Sequence, residues 1–158
     1  MNNELRTTNN ESRTTNNQMA AISCTLLVDD DTTTNFLNQA LLRRMAVTDE
    51  VLVALNGQEA LDLLHTHCAA PSSPTCPALI LLDMKMPLMN GFEFLQAYAR
   101  QGLTRHPAVV IIMLTTSLNP QDVARMQDLP IAGYLTKPLT TEKITQILQQ
   151  YFSGGAKE

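Results

Sequence analysis

Four places in this sequence set oxygen- or nitrogen-bearing side chains directly behind a short apolar run. Asp29-Asp30-Asp31 follows Leu26-Leu27-Val28, and Asp83 follows Ala78-Leu79-Ile80-Leu81-Leu82. Thr115-Thr116-Ser117 follows Val109 to Leu114, and Thr136-Lys137-Pro138 follows Ile131 to Leu135. Brought together, such carboxylates repel one another and raise each other's pKa. A hard divalent cation with oxygen ligands resolves that repulsion, and Mg²⁺ is the one suited to phosphate chemistry. The implied chemistry is phosphoryl transfer, with Asp83 as nucleophile, because a carboxylate can carry a phosphoryl group as an acyl phosphate. The Mg²⁺ would bridge the acidic pair Asp29 and Asp30 and one phosphoryl oxygen, with Lys137 on a second and the Thr115 hydroxyl on a third.

These side chains meet only if the runs before them are strands of one sheet. From Ile22 onward, apolar runs and amphipathic stretches alternate five times. Val51-Leu52-Val53-Ala54 completes the set of five strands, and the others are the four runs named above. Between them, Phe36, Leu37, Ala40, Leu41 and Met45 recur at helical spacing, with Asp31 as the cap of that helix. Asn56 with Glu59 and Asn90 with Glu93 have the spacing of capping boxes, and Asn119-Pro120 is a cap and first-turn pair. Ile144, Ile147, Leu148 and Tyr151 make the seam of a closing helix. Strands apolar on both faces imply a parallel sheet covered on both sides, and right-handed crossovers make it an open doubly wound α/β domain. Ligands of such sheets bind beyond the carboxyl ends of the strands, where all four clusters fall.

The chain has 158 residues, 44% hydrophobic and 16% charged, which suits one domain with an aliphatic core. Fifteen acidic against eleven basic residues leave a formal charge of −4, which disfavours direct nucleic-acid binding. The apolar run from Ala108 to Leu114 is far short of the ~20 residues of a membrane span, and there is no signal-peptide core. Cys24, Cys68 and Cys76 cannot all pair within one chain, so a cytoplasmic protein with reduced thiols is expected. His65, His67 and Cys68 with Cys76 fit no structural zinc spacing and read as a solvated helix end. Residues 1–20 hold the tandem repeat Asn-Asn-Glu-Leu-Arg-Thr-Thr, Asn-Asn-Glu-Ser-Arg-Thr-Thr, too poor in apolar positions for a coiled coil. They are expected to be a disordered tail before a domain over 21–153, with 154–158 a flexible C-terminus and no output domain after it.

At these motifs the sequence resembles the receiver domain of two-component response regulators, over about residues 22–152. The resemblance rests on Leu-Leu-Val-Asp29-Asp30, Leu-Leu-Asp83-Met-Lys-Met-Pro87-Leu-Met-Asn-Gly91, Met-Leu-Thr115 and Gly-Tyr134-Leu-Thr-Lys137-Pro138, in that order. It implies a flavodoxin-like (βα)5 fold with strand order 2-1-3-4-5. It implies that Asp83 accepts the phosphoryl group and that Asp29 and Asp30 hold Mg²⁺ with Asp83 and the Lys85 backbone carbonyl. Thr115 and Tyr134 match the switch pair, and Lys137 the phosphate-binding lysine, whose bond to Pro138 is expected cis. Lys85 and Ser117 occupy variable positions that tune autodephosphorylation, and Thr116 stands where a smaller Ala is frequent. The implied partners are a histidine kinase or histidine phosphotransfer protein and a downstream protein target, met around the first helix and the strand-five edge. The resemblance implies self-catalysed phosphorylation and autodephosphorylation, not turnover of a substrate, and leaves phosphorylation-dependent dimerisation open.

Two alternatives belong to other classes. Asp29-Asp30-Asp31-Thr32-Thr33 also reads Asp-x-Asp-x-Thr after a strand, the nucleophile motif of haloacid dehalogenase-type phosphohydrolases, with Asp29 as nucleophile. That reading lacks the acidic pair after the lysine, where Glu142 stands alone, and leaves the Asp83 motif unexplained. A pseudo-receiver that binds partners without accepting phosphate would have lost a site residue, and none is lost. Tyr134 also has a plainer reading, as a core ring with its hydroxyl in water, and Met84, Met86 and Met89 read as packing around the Asp83 loop.

Overall fold

Alternate residues of the central strands pack against helices on opposite sides, which is what a sheet covered on both faces requires. The computed structural model describes residues 22–70, 73, 75–103, 109–116 and 119–152. The expected tail over 1–20, the segment 154–158 and Ser117 lie outside them. Strands β1 (Ile22–Val28), β2 (Thr48–Ala54), β3 (Leu79–Asp83), β4 (Val110–Thr115) and β5 (Gly133–Thr136) alternate with helices. The helices are α1 (Thr32–Arg44), α2 (Gly57–His67), α3 (Gly91–Arg100), α4 (Pro120–Met126) and α5 (Thr141–Ile147), the last running into a π-helical turn over Leu148–Phe152. All strand pairs are parallel, in the order β2-β1-β3-β4-β5. Leu26, Val28, Ile80, Leu82 and Met113 face a core closed by α2, α3 and Met126 of α4. Leu27, Leu79, Leu81, Ile112 and Leu114 face the other, closed by α1 and α5.

Helix starts follow side-chain chemistry. Asp31, Asn56, Asn90, Asn119 and Thr140 each accept from a backbone N–H of the first turn, which satisfies a donor the helix itself leaves free. The box at Asn90 and Glu93 is reciprocal. At Asn56 the return bond shifts by one residue, with Glu59 Oε1 accepting from the Leu55 N–H at 2.8 Å.

Three expectations need correction. The edge strands are displaced: β2 begins at Thr48, because Thr48 and the exposed Glu50 still pair with β1, and β5 begins at Gly133 rather than Ile131. The phase of α1 is also different. Phe36 and Leu37 are 67% and 58% exposed, and the buried face consists of Asn35, Asn38, Leu41 and Leu42. The thiols, finally, are not all reduced: Cys68 and Cys76 form a disulfide, their Cα atoms 4.6 Å apart. Three cysteines forbid complete pairing but not one pair. Cys68 caps the end of α2, and the chain folds back before β3 to bring Cys76 within bonding span. The free Cys24 is buried on β1, and burial with the nearby Glu50 pushes its thiol up to about 11. His65 is exposed and shares a hydrogen bond with Gln101, as a solvated helix end does.

Candidate functional site

Parallel β1 and β3 finish side by side, with Val28 paired to Leu82, so Asp29 and Asp83 emerge together at the carboxyl edge of the sheet. Carboxylate oxygens of Asp29, Asp30 and Asp83 lie within 4.8 Å of one another. Asp29 and Asp83 are buried, at 4% and 7% exposure, while Asp30 is exposed. The Lys137 ammonium stands between the two buried carboxylates, 2.8 Å from Asp29 Oδ2 and 3.1 Å from Asp83 Oδ1. Lys137 arrives from β5, where its backbone N–H donates to the Thr115 carbonyl at 2.7 Å. The Lys137–Pro138 bond that follows is cis, as the family resemblance implies.

Electrostatics set these groups against one another. Burial first, and then the Asp29 charge, hold Asp83 above the ordinary carboxylate pKa; Lys137 and the Lys85 backbone N–H offset part of that rise. Burial works against the Lys137 charge, but its hydrogen bonds to Asp29 and Asp83 outweigh it, so Lys137 is held above its ordinary value. Three clustered carboxylates, two of them paired with one ammonium, form an oxygen-rich donor set, the kind a hard divalent cation such as Mg²⁺ prefers.

The backbone around the cluster is fixed by close contacts. Asp29 donates its N–H to Ala54 O at 3.1 Å, and its Oδ1 accepts the Asp31 N–H at 2.9 Å. After Asp83 the chain turns tightly: Met84 donates to Leu114 O, and Gly91 donates to Met84 O at 3.0 Å. A Cβ at Gly91 would stand 2.8 Å from Asp83 O, closer than carbon and oxygen pack, so this turn admits only glycine. Met84 is buried beneath the loop, and Met86 and Met89 pack against the same core, as expected.

The sequence-derived residues divide into two groups. Asp29, Asp30, Asp83 and Lys137 come together. Lys85 stands exposed in the loop two residues after Asp83, and Thr115 is buried at the end of β4, paired across to Thr136. Tyr134 stands apart from the cluster. It is 40% exposed beside Val123, Met126 and Ile131, which corrects the reading of a core ring.

Two supporting residues are not legible in the motifs. Asn35, on the buried face of α1, donates its Nδ2 to the Asp29 carbonyl at 2.8 Å. Lys143, in the first turn of α5, donates to the Thr136 and Pro138 carbonyls at 2.6 and 3.0 Å, on either side of Lys137. Asn35 had one available signal, an amide where helical spacing needs an apolar side chain. Lys143 had another, a cation in a first turn, where the helix dipole disfavours it.

Comparison with known proteins agrees with this arrangement. The family model of the response regulator receiver domain matches residues 25–149. Response regulator Rcp1 from Synechocystis sp. is 33% identical over 125 residues, which are 78% of this chain and 82% of that protein. A two-component response regulator from Cytophaga hutchinsonii superposes with a TM-score of 0.73 at 27% identity, covering 82% of this chain and 96% of that one. The Mn²⁺-bound form of Rcp1 superposes with a TM-score of 0.61 at 28% identity, covering 81% and 90%. With its strand order, the cluster at its carboxyl edge and these relatives, the chain belongs to the response regulator receiver domain family.

Proposed function

We propose that this chain accepts a phosphoryl group on Asp83 from a phosphohistidine donor, and signals or relays through phosphorylation-dependent protein binding. One observation carries the reading: Lys137 bridges Asp83 and Asp29, so the cation that pairs with the Asp83 carboxylate is already beside the oxygens a phosphoryl group would add. In the reaction an Asp83 carboxylate oxygen attacks phosphorus. The nitrogen–phosphorus bond of the donor breaks, its electron pair leaves with the imidazole, and the product is an acyl phosphate. Asp29, Asp30, Asp83 and the Lys85 carbonyl would hold Mg²⁺, which supplies charge neutralisation and orientation of the phosphoryl oxygens. The existence of a Mn²⁺-bound form of Rcp1 supports divalent-cation binding by this chain. Lys137 and the Thr115 hydroxyl pair with the remaining phosphoryl oxygens, and Tyr134 acts with Thr115 as the switch.

The surface around the site suits protein partners. The exposed Phe36 and Leu37 lie on α1, and Leu37 borders a groove of about 380 Å³ shared with Pro138 and Leu139 and reaching Lys137. We assign that face to the histidine kinase or histidine phosphotransfer protein, and the Tyr134 edge to the target. A phosphohistidine donor would have this chain work in the cytoplasm, where the disulfide would meet a reducing thiol pool. No helix among the described residues is long and apolar enough to cross a membrane. The chain consumes no substrate beyond its own phosphorylation and dephosphorylation.

The test is incubation with Mg²⁺ and acetyl phosphate, or a phosphorylated histidine phosphotransfer protein, followed by intact mass and peptide mapping. One Mg²⁺-dependent phosphoryl group on Asp83, lost in Asp83→Asn, is expected. A phosphoryl group on Asp29 would restore the hydrolase reading. Modification by neither donor would make the chain a binding module and overturn the proposal.

A further inference from the structure

We infer that Lys143 is a positioning residue for phosphoryl transfer, holding the backbone on both sides of Lys137 so that the Lys137 ammonium stays between Asp29 and Asp83. The inference rests on the reading of Asp83 as phosphoryl acceptor.

An ammonium has three N–H donors, and Lys143 has three oxygens for them. They are the Thr136 carbonyl at 2.6 Å, the Pro138 carbonyl at 3.0 Å and the Thr136 hydroxyl at 3.4 Å. The two carbonyls belong to the residues immediately before and after Lys137. Lys137 is thus fixed from two directions: its own N–H is bonded to Thr115 O on β4, and its neighbours' carbonyls are gathered by α5. The side chain that must reach two carboxylates near β1 and β3 starts from the half-buried end of an edge strand.

Lys143 also has little reason to be a lysine for the helix alone. Thr140 caps α5 and accepts the Lys143 backbone N–H at 3.2 Å, so the cap needs no particular Lys143 side chain. A positive charge at this third position opposes the helix dipole. What the ammonium gains is charge-assisted bonding to the Thr136 and Pro138 carbonyls. Lys143 touches neither Asp29 nor Asp83 in any bond described, so its effect reaches the chemistry only through Lys137.

That separation gives a test on the full chain. Lys143→Met keeps the length of the stem and removes the ammonium; Lys143→Gln is the second variant, should Met misfold. Each is made alone and in a Lys137→Ala background. Readouts are the rate of phosphorylation by acetyl phosphate at saturating Mg²⁺, the affinity for beryllium trifluoride as a phosphoryl mimic, and Mg²⁺ affinity by calorimetry. Removing the ammonium is expected to slow phosphorylation about tenfold and weaken beryllium trifluoride to a similar degree, because a small misplacement of a charged group is costly in transfer chemistry. Mg²⁺ affinity should stay within about twofold, and in the Lys137→Ala background the Lys143 change should add less than about twofold.

An unchanged rate in a folded variant would overturn the inference. So would a parallel loss of Mg²⁺ affinity, or full additivity with Lys137→Ala, since either marks general damage to the domain. If the unaltered chain takes neither phosphate nor beryllium trifluoride on Asp83, the parent reading fails and this inference with it. Normal phosphorylation of the unaltered chain with an equally fast Lys143→Met overturns the inference alone.

Discussion

Where β1 and β3 finish, two buried carboxylates share one ammonium, and a glycine lets two stretches of backbone nearly touch. Where β3 begins, at the opposite end of the same strand, Cys68 and Cys76 join the end of α2 to the residues entering the sheet, and Ala78 is hydrogen-bonded to β1. The first end concentrates charge that folding would rather leave in water. The second carries a covalent tie and holds no cluster of metal-ligating groups among the described residues. Between them runs an apolar middle, Leu79 to Leu82, that is at most 1% exposed. The difference shows how a small domain can hold an unfavourable site: destabilising groups sit at one edge while stabilising ones are placed where they cannot interfere with the chemistry.

The largest effect expected from this contrast is on the disulfide. It closes a short loop, with a sequence separation of 8, and a cross-link of about that size restricts the unfolded chain by roughly 2–3 kcal/mol. Reduction, or Cys76→Ser, should lower Tm by several degrees in differential scanning calorimetry. The rate of phosphorylation on Asp83 should not change, because the bond lies at the far end of the sheet. A rate that falls together with Tm would mean that the two ends are coupled, and the comparison would fail.

A second, smaller effect has the opposite sign. Burial and then Asp29 raise the Asp83 pKa, so the folded chain holds that proton more tightly than the unfolded chain does. Stability therefore falls as pH rises from the unfolded carboxylate pKa through the raised folded one, and the whole cost is present above that raised value. Asp83→Asn, in Mg²⁺-free buffer, should accordingly raise Tm by a few degrees at neutral pH while abolishing phosphorylation. The gain should vanish in acid, where Asp83 is protonated in both states. Equal Tm values across the range would show that Lys137 fully compensates the buried charge.

Much of this contrast is legible in sequence, and the exceptions share a cause. The five parallel strands, four of the five caps and the convergence of Asp29, Asp30, Asp83 and Lys137 follow from patterns that repeat along the chain, while the strand order follows from the family resemblance and the Thr140 cap from neither. What escapes is whatever depends on one side chain reaching a partner far along the chain or on the backbone. The Cys68–Cys76 pair depends on how a loop turns back, which cysteine counting does not determine. Hydrophobic spacing misplaces the face of α1, because Phe36 and Leu37 are apolar yet exposed, while Asn35 and Asn38 are polar yet buried. Hydrophobic spacing assigns burial by side-chain type, and Asn35 is buried because the backbone it serves is buried.

That reversal yields the smallest of the predicted effects, and a selective one. Asn35 is 4% exposed; its Nδ2 holds the Asp29 carbonyl, and its Oδ1 has no hydrogen-bond partner among the described residues. Removing a satisfied buried amide ordinarily costs stability by leaving its partner unpaired. In Asn35→Ala that cost is offset, because an acceptor that was buried without a partner disappears with the donor. Tm should therefore move little. Asp29, however, loses the bond that fixes its carbonyl, and its carboxylate is part of the cluster proposed to hold Mg²⁺. Calorimetric titration should show Mg²⁺ affinity reduced about tenfold, the lower end of the range for residues that orient a metal ligand. Lys143→Met should do the converse, slowing phosphorylation with Mg²⁺ affinity preserved. If Asn35→Ala left Mg²⁺ affinity unchanged and lowered Tm instead, the buried amide would be a structural tie of α1 to the sheet. The carboxyl edge would then owe its geometry to the strands alone.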